Sequence, residues 1–212
     1  MIAAPPVAVA VSPARLAVAA GETRELRVVN SGASDAVVDV STAGYTLGLR
    51  GRMRILPRGS AVAVRPVRVV VPARGAATVA VTGRRSGPGD HPSLVLLTTE
   101  RPQYDIAVRV RLGVVVLVRG GGRVVHRVVA DRLRAAPGRV ELWLRNRGNA
   151  AEALRIRIRI GSTLLTDTRQ LLPHARGVST FRFAGRLHGR VLARVEVEYG
   201  GGVLRRTLRL RL

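Results

Sequence analysis

The chain has 212 residues, of which 47% are hydrophobic but only 3% aromatic, and a formal net charge of +23. That length supports one or two cores, and the absence of cysteine excludes disulfides, thiolate nucleophiles and cysteine-based zinc sites. All 36 basic residues counted as Lys or Arg are arginine, so any attraction to polyanions rests on guanidinium groups.

Taken from the N-terminus, Met1-Ile2-Ala3-Ala4-Pro5-Pro6 has neither the basic region nor the apolar stretch of a signal peptide. It matches the small-residue, proline-containing start of a mature exported chain, which sets the expectation of an extracytoplasmic location. No apolar run reaches the ~18 residues of a membrane-spanning helix. Alternation then predicts strands at Val7–Val11, Arg15–Val18, Thr23–Val29, Ala36–Ser41, Ala61–Val64, Val67–Val71, Ala77–Thr82, Ser93–Thr98 and Tyr104–Val118. A second series follows at Arg123–Leu133, Val140–Arg145, Ala153–Ile160, Ser162–Thr168, Val178–Phe183, Arg190–Tyr199 and Val203–Leu212. Leu154-Arg-Ile-Arg-Ile-Arg-Ile160 is the clearest case: on a helix its arginines would surround the axis, whereas a strand gives one wet and one apolar face. Trp143, between Leu142 and Leu144, is either a core plug or an outward contact, with the core the favoured reading.

The two series repeat one another. Glu25-Leu26-x-Val28-x-Asn30-x-Gly32 returns as Glu141-Leu142-x-Leu144-x-Asn146-x-Gly148. Ala73-Arg74-Gly75-x-x-Thr78-Val79 returns as Ala175-Arg176-Gly177-x-x-Thr180-Phe181, and Arg109-Val110-Arg111-Leu112 as Arg209-Leu210-Arg211-Leu212. Two copies of one module, each the size of a single sandwich, predict an all-β chain of two tandem immunoglobulin-like β-sandwiches. The Gly120-Gly121-Gly122 triplet divides them into residues 1–119 and 120–212. The Asn-x-Gly sites read as turns, since Asn bonds its own backbone and Gly relaxes it.

No constellation names a reaction. The four histidines are scattered, no carboxylates alternate as in a calcium loop, and no Gly-x-Ser-x-Gly elbow occurs. The expectation is therefore a binding protein that is no enzyme and carries no metal or cofactor. Arg155, Arg157, Arg159, Arg209 and Arg211 form a candidate face for a polyanion or cell-wall polymer. The first module carries extra sequence around Gly44–Arg65, where Tyr45, Arg50, Arg52 and Arg54 are candidate contacts. Scarce aromatics, no groove-reading helix and dispersed charge weigh against specific nucleic-acid binding.

Val11-Ser12-Pro13-Ala14-Arg15-Leu16, Ala20-Gly21-Glu22-Thr23, Leu26-x-Val28-x-Asn30-x-Gly32, Val71-Pro72-Ala73-Arg74-Gly75 and Pro88-Gly89-Asp90-His91 before Leu94–Thr98 carry a resemblance. In their order the chain resembles the WxL-interacting protein family, in which a peptidoglycan-binding domain precedes a second immunoglobulin-like domain. It also resembles the PapD-like pilus chaperones. The first resemblance implies a cell-surface module engaging cell-wall polymer or an envelope protein, and this is the leading expectation. The second implies a periplasmic chaperone that lends a strand edge to a subunit. Its basic cleft residues, which hold a subunit carboxylate, would be sought at Arg15, Arg109 and Arg111, and its apolar row at Ile106–Leu112 with Val114–Val118.

Overall fold

The computed structural model describes residues 9–84, 87–103, 106–136, 138–183 and 191–210, with the backbone alone described at 100–103 and 106–109. Every regular element among them is a strand. The chain forms two immunoglobulin-like β-sandwich units. One runs to Gly121 and the other from Gly122, except that segments 46–54 and 88–90 group with the second.

The first unit contains β1 (Val9–Ser12), β2 (Arg15–Ala19), β3 (Thr23–Asn30), β4 (Ala36–Leu47), β5 (Met53–Leu56), β6 (Val62–Arg65), β7 (Arg68–Val71), β8 (Ala76–Gly83), β9 (Asp90–Gln103) and β10 (Ile106–Arg119). One sheet has the order β1-β3-β8-β6; the other is β2-β10-β9-β4-β5, with β7 also on β4. The N-terminal chain serves both sheets. β1 pairs antiparallel with β3, Pro13 interrupts the ladder, and β2 then pairs parallel with the end of β10. Proline lacks the N–H that a continuous strand would need there. Leu26, Val28, Val79 and Val81 from one sheet meet Val38, Val40, Val95, Leu97, Val114, Val116 and Val118 from the other. Each such side chain contributes about 1.5–3 kcal/mol when buried. Valines with two leucines, and no aromatic residue, make up this set.

The second unit contains β11 (Val128–Ala136), β12 (Arg139–Asn146), β13 (Glu152–Ile160), β14 (Thr163–Leu171), β15 (Arg176–Arg182), β16 (Val191–Tyr199) and β17 (Gly202–Leu210). A three-stranded sheet, β11-β12-β15, faces a four-stranded one, β14-β13-β16-β17, across one apolar cluster. β13 alternates strictly: Leu154, Ile156, Ile158 and Ile160 are buried while Arg155, Arg157 and Arg159 are exposed.

The backbone bonds align the two copies and correct the spacing read from sequence. Asn30 N–H donates to Gly75 C=O, and Asn146 N–H donates to Ala175 C=O, both at 2.9 Å. Val28 faces Ala77, and Leu144 faces Gly177. The equivalent pairs Gly75/Ala175 and Ala77/Gly177 each lie 100 positions apart, so the two Ala-Arg-Gly triplets are not equivalent. Gly75 sits in a turn; Gly177 lies within β15, where an added Cβ would come within 2.6 Å of Arg169 and Leu171 side-chain atoms.

Three further expectations change. β5 was not foreseen, because Met53-Arg-Ile-Leu56 shows no alternation in burial: all four residues are exposed. The strand expected from Arg123 starts only at Val128. Residues 123–127 instead bond the Asn149 turn, through Val125 N–H to Asn149 Oδ1 (2.6 Å) and Asn149 Nδ2 to Arg123 C=O (3.0 Å). Trp143 is not a core side chain: Leu142 and Leu144 point inward, while Trp143 lies half-buried on the other face with the Arg132 guanidinium 4.1 Å from its ring centre.

Candidate functional site

In the first unit the notable feature is an unpaired strand edge. β2 covers β10 only from Val115 to Arg119, with Arg15 opposite Val115. Upstream, Ile106–Val114 has β9 on one side and, among the described residues, no strand on the other. Val114, Val116 and Val118 are wholly buried. The same apolar row continues outward in sequence through Leu112, Val110, Val108 and Ile106. A strand's period of two puts Arg111 on the opposite face with Val115 and Arg15, and both arginines are exposed. Arg109 lies in β10, but its side chain is outside the described residues. Tyr45, expected as a contact in the extra loop, is instead a buried part of β4 whose hydroxyl has no hydrogen-bond partner among the described residues. Burial raises its phenol pKa, and the Arg15 charge opposes that shift.

The remaining extra-loop candidates belong to the 46–54 segment, which groups with the second unit. There Val178 N–H donates to Leu49 C=O at 2.7 Å, and Arg169 donates to both Val178 C=O (2.5 Å) and Leu49 C=O. Arg50 lies 3.7 Å from the Glu141 carboxylate. Arg52 and Arg54 are exposed and unpaired among the described residues.

In the second unit the exposed face of the four-stranded sheet gathers some of the expected arginines and separates others. Arg155 stands opposite Glu198, and Arg157 opposite Glu196, whereas Arg159 stands opposite Arg194. Arg157 donates to Glu196 (3.1 Å) and Glu198 (2.8 Å), and Arg205 donates to Glu196 (3.0 Å). The Glu196 carboxyl is held below the ordinary glutamate pKa, first by the Arg205 bond and then by Arg157. Arg159 and Arg194 have no carboxylate partner among the described residues. Arg209 is exposed opposite Leu192, and Arg211 lies outside the described residues. Arg194 was missed because its segment, Val191-Leu-Ala-Arg-Val-Glu-Val, carries one arginine among apolar residues and glutamates; only the strand register reveals its neighbour.

Among the described residues, no three His, Asp or Glu side chains converge as metal ligands would. The duplicated asparagines are structural. Asn30 Nδ2 donates to the carbonyls of Ser34, Val71 and Pro72 while its Oδ1 accepts from Gly32 N–H. Asn146 repeats this with Ala150, Leu172 and Gly148.

Two immunoglobulin-like sandwiches, the first with its N-terminal strand split between sheets and laid parallel to its last strand, give a fold similar to that of solved fimbrial chaperones. The class 5 fimbriae chaperone CfaA superposes with a TM-score of 0.66 at 11% identity, covering 94% of this chain and 98% of its own. The YadV chaperone gives 0.58 at 14% identity, covering 95% and 99%. The SafA pilin–SafB chaperone complex of Salmonella enterica gives 0.56 at 14% identity, covering 99% of each chain. No family model and no curated protein sequence matches the chain. Of the two resemblances read from sequence, the pilus-chaperone one is thus supported at the level of fold.

Proposed function

We propose that the chain is an exported, non-catalytic binding protein that holds a pilin-like subunit by lending it the open edge of β10. The observation that carries this reading is the edge itself. Among the described residues Ile106–Leu112 has no second strand beside it, and its alternate residues are apolar in sequence, in step with the buried Val114, Val116 and Val118. Seven residues of strand span roughly 20–23 Å, enough to complete a sheet that lacks one strand. Each backbone hydrogen bond contributes about 0.5–1.5 kcal/mol net. Each apolar side chain buried in the subunit contributes about 1.5–3 kcal/mol. The apolar row therefore dominates affinity and the backbone edge fixes register. Arg15 and Arg111, exposed on the other face, are the proposed holders of the subunit's terminal carboxylate, a charge-assisted contact suited to guanidinium. Cell-wall polymer, the first expectation from sequence, gains nothing from the fold likeness and gives way to a protein partner.

The test is co-expression with a pilin subunit whose own sheet lacks a strand. The wild-type chain is expected to keep that subunit soluble in a one-to-one complex. Val110→Asp is expected to abolish the complex without lowering the chain's own thermal midpoint, and Arg15→Ala with Arg111→Ala to weaken it. No complex with the wild type, or an equal complex with Val110→Asp, overturns the reading.

A further inference from the structure

The exposed face of the four-stranded sheet in the second unit is graded in charge. Read across β14, β13, β16 and β17, one row is Thr168, Arg155, Glu198 and Val203, in which charges cancel. The next is Thr166, Arg157, Glu196 and Arg205, tied by two hydrogen bonds, with a third from Arg157 to Glu198 of the first row, and carrying one net positive charge. The third is Leu164, Arg159, Arg194 and Thr207, which holds two positive charges and no acid. Directly opposed residues on neighbouring strands have Cβ atoms about 4.5–5.5 Å apart, and like charges in that position destabilise a sheet. Both glutamates of this face are already occupied by Arg157 and Arg205, so they do not relieve the third row. An open cavity of about 400 Å³ lies there, lined by Arg159, Arg194, Thr207 and Leu164 and, at its side, by Arg205 with the Glu196 it bonds.

We propose that Arg159 and Arg194, with the Thr207 hydroxyl beside them, form a binding site for a phosphoryl group. Two planar guanidinium groups and one hydroxyl stand side by side on three adjacent strands and line one cavity, a donor set that suits a tetrahedral oxyanion with several acceptor oxygens. A single carboxylate would leave part of that donor set unused. Leu164, half exposed beside Arg159, gives the site an apolar shoulder for whatever carries the phosphoryl group. The ligand supplies the negative charge that the row lacks, so binding relieves the opposition of Arg159 and Arg194 at the same time. This site is independent of the β10 edge, which lies in the other unit.

The experiment is titration of the full chain with inorganic pyrophosphate at about 150 mM salt, where screening already acts within roughly 8 Å, read by calorimetry and by thermal midpoint. Saturable one-to-one binding with a raised midpoint is expected. Arg159→Gln with Arg194→Gln should weaken it about ten-fold or more, while Arg123→Gln with Arg127→Gln, the same change in net charge elsewhere, should leave it within two-fold. The first pair removes a repulsion and should not lower the midpoint of the free protein, so lost binding is separable from lost folding. A second arm uses phosphatidylcholine vesicles with and without phosphatidylglycerol. Vesicle binding that depends on the same two arginines assigns the phosphoryl group to a lipid headgroup; pyrophosphate binding alone assigns it to a soluble source. Equal losses in both variant pairs, or no saturable binding to either probe, overturn the proposal.

Discussion

At the scale of single residues, the turn asparagines show how a repeated motif can be read correctly and still conceal a difference. Asn30 and Asn146 are both buried and bonded in the same pattern, and the Asn-x-Gly spacing is legible because that pattern needs a short, unbranched amide and a bare neighbour. The glycines that follow are not equal. A Cβ on Gly32 would meet Asn30 Oδ1 at 3.0 Å and otherwise nothing nearer than 4.0 Å, all within its own turn. A Cβ on Gly148 would fall 2.0 Å from Val125 C=O and 2.9 Å from Arg127 N, both backbone atoms of the segment laid against the turn. Gly148→Ala is therefore expected to destabilise by about 2–4 kcal/mol, in the range of a severe steric change. Gly32→Ala should cost about 1 kcal/mol or less, and urea unfolding of the two variants checks the ranking. Sequence alone could not separate these glycines, because the crowding comes from residues that are distant in the chain. Gly177 misled for the same reason: its letters match a turn glycine, while its bareness makes room for the side chains of Arg169 and Leu171.

At the scale of elements, what was legible was the inside-outside pattern. β13 could be read from its alternation because its face is set by its own residues. Which strands lie beside it, and so whether an arginine meets a glutamate or another arginine, depends on register with β16, and register is settled by the whole sandwich. β5 was invisible for the complementary reason: an exposed strand has no burial pattern to betray it. The ladder of Arg157, Glu196 and Arg205 has a pH consequence. Glu196 is held below its ordinary pKa in the fold, so its contribution is present above the unfolded carboxylate pKa and is lost as pH falls through the lowered folded value. Glu196→Gln should lower the thermal midpoint at neutral pH, and the gap from the wild type should close as acid is added. A gap independent of pH would mean that the glutamate acts through packing alone.

At the scale of the whole molecule, the net charge of +23 sets the terms. Self-repulsion on that scale opposes compaction and attracts any polyanion without selectivity. Raising salt from about 10 to about 150 mM shortens the screening length from roughly 30 to 8 Å. The thermal midpoint should rise over this range, and weak retention on duplex DNA should fall steeply. The contact proposed for β10 is chiefly apolar and should survive the same change. The parallel pairing of β2 with β10 also bears on mechanical strength. Arg15 enters its strand at the end where Val115 pairs, and Arg119 leaves at the far end. Traction applied between those two residues therefore slides one strand along the other. The bonds between them share the load as a lap joint does and are not peeled one at a time. The end of β10 that anchors the unit is thus built to resist pulling, while the stretch upstream stays open for a guest.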